Sequence, residues 1–216
     1  MSLISEYWKR LTGTVHPEDK TLFEASPKHS FNLEFPPPAF IGDLEAPVVI
    51  LMANGGYKAG VTEAEFADEE ASLSFAAYLR GERKGPPPQL SQYYLRGRLG
   101  RMIGRNEAVL VNAVPYRSGR LSAEPENQVI AKHLSSRRVH RQWLFDEVLP
   151  AARNGDRLVF VHRNRWWGIP PSEASEFVVF SDSARAEPNR QAPDEYKLIR
   201  AEEWLVRSNW RMAPRE

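Results

Sequence analysis

Four apolar stretches of this chain each end on a short polar cluster: Asn54-Gly55-Gly56-Tyr57, Asn112-Ala113-Val114-Pro115, His162-Arg163-Asn164 and Ser181-Asp182-Ser183. Two of the clusters open on a carboxamide. An amide presents a donor beside an acceptor, which matches the adjacent carbonyl and N–H groups along the edge of a nucleobase. Gly55 and Gly56 allow a sharp turn and the close approach of a ligand, and Tyr57 adds a ring. Other chemistries lack their residues. No paired carboxylates and no Ser-His-Asp spacing occur, and there is no GxxxxGK[ST] phosphate loop, which argues against an NTPase. The glycines of "LRGRLGRMIG" fall in a helical pattern rather than in the strand-turn-helix context of a dinucleotide fingerprint. The absence of cysteine excludes disulfides, thiolate zinc sites and iron–sulfur clusters.

The elements that must position these clusters read as strands alternating with helices. Val48–Ala53 is short, continuous and rich in β-branched residues, the pattern of a strand covered on both faces. "AVLVNAV" (Ala108–Val114), "RLVFVH" and "FVVFS" (Phe177–Ser181) repeat it. Between them, helices are expected over Thr62–Arg80, through "QLSQYYLRGRLGRMIG", and over residues 127–152, with a further helix near the end. This alternation predicts an α/β fold: a three-layer sandwich with a central four-stranded parallel sheet flanked by helices. In such folds ligands bind beyond the carboxyl ends of the strands, where the four clusters lie. Residues 1–38, ending in "FPPP", read as an N-terminal arm with a short helix near Ser5–Leu11, and 39–216 as the α/β domain.

The formal net charge is only +1, yet its distribution is uneven. From Arg96 to Arg165 there are fourteen Lys/Arg against six Asp/Glu, and Lys supplies only seven of the 29 basic residues in the chain. Arginine suits phosphate and planar partners. A basic face of this kind fits a phosphate backbone; the competing reading is a set of solvated helix faces. The start "MSLISEYWKR" lacks the apolar core of a signal peptide, and no uncharged apolar run reaches the length of a membrane span, so a cytoplasmic, non-membrane protein is expected.

The strand ends, taken in order, resemble the uracil-DNA glycosylase superfamily, whose members excise a base flipped out of DNA. The resemblance runs in patches from about Phe40 to Trp204. "MANGGY" lies where that family has "GQDPY" or "GINPG". "VLVNAVPYR" is similar to "LLLNAVLTV" and is the most specific match. "RLVFVH" resembles "VFLLWG", and "SDSAR" resembles the "SSSAR" form of the last motif. The resemblance implies a metal-free, cofactor-free monomer acting on DNA. It places Asn54 as the residue that positions water, Asn112 as the reader of the base edge, Ser183 on a phosphate, and Arg185 in the gap left by the flipped nucleotide. Gly56 falls where one branch carries a Tyr that blocks the thymine methyl, with Tyr57 one place beyond. Ser181 replaces the family histidine that stabilises the leaving base; His162 is the candidate to compensate.

The expected set is therefore Asn54 and His162 as catalytic residues. Gly55, Gly56, Tyr57, Asn112, Tyr93 and Tyr94 are expected to bind the base, with Phe75 a third candidate platform. Ser181, Ser183, Arg185, Arg163 and Arg165 are expected on DNA. The expected reaction is hydrolysis of an N-glycosidic bond through an oxocarbenium-like sugar. The alternatives are a nucleic-acid- or nucleotide-binding member of the same fold that does not cleave, and an unrelated α/β enzyme. For individual residues, Asn54 capping its turn and His162 as a structural histidine are the competing roles.

Overall fold

Every residue of the strand Ala108–Val114 is buried, so both faces of the sheet are covered at that point. The computed structural model describes residues 2–87, 90, 97–119, 121–181 and 195–208, the positions 195–198 as backbone only. In chain order the strands are β1 (Phe40–Gly42), β2 (Val48–Asn54), β3 (Ala108–Val114), β4 (Leu158–His162) and β5 (Val178–Ser181). They form one sheet in the order β1-β3-β2-β4-β5. β3, β2, β4 and β5 run parallel, with Val48 opposite both Ala108 and Leu158 and with His162 opposite Ser181. These are the four expected strands.

The sheet is nevertheless five-stranded and mixed, because β1 pairs antiparallel with β3. With three residues, β1 is too short to show a period in the sequence. Its approach is close: Gly42 has φ +115° and a Cβ there would lie 2.4 Å from the Ala108 carbonyl oxygen. The Tyr78 hydroxyl accepts from Gly42 N at 2.8 Å and donates to Gly42 O at 2.7 Å, satisfying backbone groups at the sheet edge.

Helices flank the sheet: α1 (Leu3–Trp8), α2 (Pro17–Glu24), α3 (Val61–Glu65), α4 (Glu69–Leu79), α5 (Gly97–Gly104), α6 (Pro125–His133), α7 (Ser135–Trp143), α8 (Leu149–Arg153) and α9 (Glu195–Arg207). The helix expected over Thr62–Arg80 is two helices, since Asp68 caps the second by accepting from Ala71 N. The helix expected over 127–152 is broken at Leu134, whose ψ is 129°. It then passes through a π turn, Leu144–Val148, just ahead of Pro150. Proline cannot donate to the carbonyl four residues back, and the wider turn accommodates that loss.

Residues 2–38 are not a separate arm. Ile4, Tyr7, Trp8, Leu11, Phe23 and Phe31 belong to the single buried cluster that contains β2, β3 and β4. The mixture of polar and aromatic residues that reads as an arm packs through polar bonds to rings. The Trp8 indole donates to His140 Nε2 at 2.8 Å. Asp19, fully buried, accepts from the Tyr116 hydroxyl at 2.9 Å, the Tyr7 hydroxyl at 3.4 Å and Ser136 N at 3.3 Å. The carboxylate thereby joins α1, α2, the segment after β3 and the first turn of α7, whose positive end favours it. No helix among the described residues is long and apolar enough to cross a membrane.

Candidate functional site at the carboxyl ends of the strands

Because β2 connects towards β3 on one side and β4 connects towards β5 on the other, the switch point of the sheet lies between β2 and β4. That crevice is filled. Trp167, fully buried, donates its indole N–H to the Met52 carbonyl at 2.8 Å, one residue beyond the last β2–β4 pair, Leu51 and Val161.

Asn54 is the last residue of β2 and is half-buried. Its Nδ2 donates to Gly55 O at 2.9 Å and to Ser118 O at 3.2 Å, while Ser118 N donates to Gly55 O at 3.1 Å. Both amide protons are thus committed to backbone, which sets the orientation of the side chain and leaves Oδ1 as the group it presents. The two glycines differ. A Cβ on Gly55 would fall 2.0 Å from Pro38 Cγ, whereas one on Gly56 would meet nothing within 4 Å. Gly55 makes room for the chain's own proline, and Gly56 borders open space. Tyr57, half-buried, donates to Glu63 Oε1 at 2.7 Å. That bond raises the phenol's pKa and holds the Glu63 carboxyl below its ordinary range.

Asn112, on β3, is two residues short of the strand's end. It is 1% exposed, and its Nδ2 donates to Pro38 O at 2.5 Å. Its backbone N donates to Ala39 O at 3.0 Å, and its backbone carbonyl accepts from His140 Nδ1 at 2.7 Å. Since the Trp8 indole N–H occupies His140 Nε2, the imidazole is the neutral Nδ1–H tautomer, and burial lowers its pKa to about 4.

At the end of β4, His162 is buried, 4% exposed, and Arg163 is in the left-handed region with φ 54°. Asn164 closes the following turn by donating to Ile169 O and accepting from Ile169 N. Two arginines of α7 hold this loop: Arg137 donates from Nε and Nη2 to Trp166 O, and Arg141 from Nε to Trp167 O at 2.7 Å. Arg165 lies over the Trp166 ring and bonds to Ser122 Oγ. Arg137, Arg141, Arg163 and Arg165 make no ion pair with another described residue. Burial, with the neighbouring charge of Arg141, lowers the pKa of Arg137.

The structure thus brings Gly55 and Asn112 together on Pro38, with Asn54 directed to Ser118 beside them and His162, Ser181 and the two loop arginines on the far side of β2. Tyr93, Tyr94, Ser183 and Arg185 lie outside the described residues. Phe75 is no exposed platform: it is 1% exposed and packs edge-on against Phe66.

Sequence reasoning missed the residues that furnish the neighbourhood. Arg117, 1% exposed, pairs with Glu65, 6% exposed, through Nη2 to Oε2 at 3.0 Å. Its Nη1 reaches Gly56 O at 3.4 Å, its guanidinium lies 5.2 Å from the Phe66 centroid, and its Nε is buried without a partner. Phe66 in turn stacks on Phe35, with centroids 5.2 Å apart and planes at 17°. Arg117 sits three places beyond β3 and was visible in "NAVPYR". Nothing in the sequence marks its distant carboxylate. Among the described residues no group of three or more His, Asp or Glu converges as metal ligands would.

Comparison with family models, with curated proteins and with solved structures finds no match to this chain.

Proposed function

We propose that this protein binds nucleic acid, with its arginine surface on the phosphates and a site for a base at the ends of β2 and β3. One observation carries the reading: Arg137, Arg141, Arg163 and Arg165 converge on the loop after β4 with no carboxylate paired to them among the described residues. Other surface arginines are paired, as Arg80 with Glu82, Arg153 with Glu173 and Arg157 with Glu45, while Arg83, Arg101 and Arg138 are not, among the described residues; what distinguishes the four is that they gather on one loop. Unpaired guanidiniums beside an exposed turn suit phosphate, and Trp166 and Trp167 fix the turn that presents them. The test is a fluorescence-anisotropy titration of labelled single- and double-stranded DNA across a salt series. Binding that weakens steeply and linearly on a log-log plot is expected; binding of neither strand form at low salt would refute the reading.

A second reading, hydrolysis of the N-glycosidic bond of a flipped uracil-like or mismatched base, is favoured by Asn54. Its two N–H groups are spent on backbone, so Oδ1 is the acceptor a water molecule would meet. An amide orients water without taking its proton, so the leaving base must carry more of the barrier. Duplexes and single strands carrying uracil, hypoxanthine, xanthine or a thymine mismatch, assayed for abasic sites, test this reading. Cleavage lost in Asn54→Ala supports it; no abasic product across the panel refutes it.

A further inference from the structure

The end of β2 and β3 is roofed by the chain itself. Residues 32–38 run across it, and each contact falls on a group of the candidate site. Asn32 N donates to Arg117 O. The Phe35 ring lies parallel to Phe66, and Pro38 fills the space that Gly55 leaves while its carbonyl takes the amide of Asn112. The attachment is uneven along the segment. Its ends are pinned by backbone bonds at Asn32 and Ala39, and Thr14 Oγ1 holds Leu33 O at 2.5 Å. Between them, among the described residues, Glu34, Phe35 and Pro36 make no backbone–backbone hydrogen bond. The middle of the segment is held by the half-buried Phe35 ring on the buried Phe66 ring and by the buried Pro36 that follows it. A section pinned at both ends and held by side chains at its centre is one that opens locally at low cost.

We propose that residues 32–38 are a strap and that Phe35 occupies a ring site on Phe66 which a nucleobase enters by displacing it. The site has the chemistry for a planar heterocycle. Phe66 offers the face that Phe35 covers, the Arg117 guanidinium lies over the same ring, and Gly56, whose carbonyl Arg117 also reaches, borders open space. Ligand affinity is then reduced by the fraction of time the strap is closed.

This inference rests on the nucleic-acid reading above, and the experiment separates the two. Binding of deoxyuridine and deoxyinosine is measured by calorimetry on wild type, Phe35→Ala and the double variant Phe35→Ala/Phe66→Ala, alongside anisotropy with a labelled single-stranded oligonucleotide. Phe35→Ala is expected to bind a nucleoside about tenfold more tightly than wild type, and the double variant to lose that gain. On wild type, adding the oligonucleotide is expected to speed hydrogen exchange at the Asn32 amide, which donates to Arg117 O. Phe35→Leu, which keeps apolar volume but no planar ring, replaces Phe35→Ala if the latter fails to fold. Oligonucleotide binding with no gain in nucleoside affinity and no change in exchange would overturn the strap and leave the arginine surface standing. Loss of all binding in every protein, wild type included, would overturn both.

Discussion

The Trp8 indole donates its N–H to Nε2 of His140, 132 positions away, at 2.8 Å and with both side chains fully buried. The bond ties α1 to α7, and the other nitrogen of the same imidazole ties α7 to the Asn112 carbonyl on β3. The candidate site is thus supported from behind by a residue that must stay neutral.

That requirement makes stability fall with acid. The folded-state pKa of His140 is depressed to about 4 from an ordinary 6.5. Between those values the unfolded chain binds the proton and the folded one does not, so unfolding becomes easier as pH falls. The contribution is complete above about pH 6.5, declines through the window and is exhausted near pH 4, amounting to about 3 kcal/mol. His16, whose pKa burial also lowers, acts in the same direction. Urea unfolding at a series of pH values checks this; a His140→Gln variant is expected to show a flatter profile below pH 6.5, whatever its stability at neutral pH.

The buried pair of Arg117 and Glu65 predicts a sharp asymmetry. Removing one charge strands the other in a nearly water-free place, so Arg117→Met is expected to cost about 3–5 kcal/mol. The double variant Arg117→Met/Glu65→Leu removes both charges and is expected to recover most of that loss. Denaturant midpoints of the two variants and of Glu65→Leu close the cycle. Additive losses would mean that the pair is not coupled.

The two glycines after β2 separate packing from ligand space. Gly55→Ala forces a methyl group against the Pro38 ring and is expected to destabilise by about 1–3 kcal/mol. Gly56→Ala meets no atom and is expected to stay within about 0.5 kcal/mol of wild type. Thermal unfolding of the two proteins distinguishes them; equal effects would show that Pro38 yields and that the close approach is not a constraint.

Those same glycines show what could be read from the sequence. β2 to β5 are legible because each is a short apolar run rich in β-branched residues, as strands of a covered parallel sheet are. The place where β2 ends was equally legible, in Asn54-Gly55. What Gly55 is for was not, since Pro38 reaches it from 17 residues earlier and nothing local marks that contact. The partner of Asn112 was hidden for the same reason: the carbonyl that takes an N–H of its amide, Pro38 O, lies 74 positions earlier. The first 38 residues read as an arm because their core contacts are aromatic and hydrogen-bonded rather than periodic. The break at Leu134 carries no glycine or proline signal, while Pro150, which accompanies the π turn, is visible but does not end the helix.

Arg163 and Arg165 provide the last prediction, because neither side chain donates to the loop's own backbone; Arg165 bonds only to Ser122 Oγ among the described residues. Arg137 and Arg141 are unsuitable for that purpose: their guanidiniums donate to the Trp166 and Trp167 carbonyls, and their loss would shift the turn as well as the charge. Arg163 is exposed, and Arg165 is exposed with its head over Trp166. A residue that contacts phosphate contributes to affinity for every sequence alike and adds about 0.9 to the salt slope on duplex DNA. Arg163→Ala and Arg165→Ala are each expected to weaken binding uniformly across unrelated oligonucleotides and to lower the slope by about one, with thermal stability within about 0.5 kcal/mol of wild type. Anisotropy titrations at several salt concentrations measure both quantities. An unchanged slope in the double variant would place the nucleic acid on another face, whereas a loss confined to one sequence would make these side chains readers of bases.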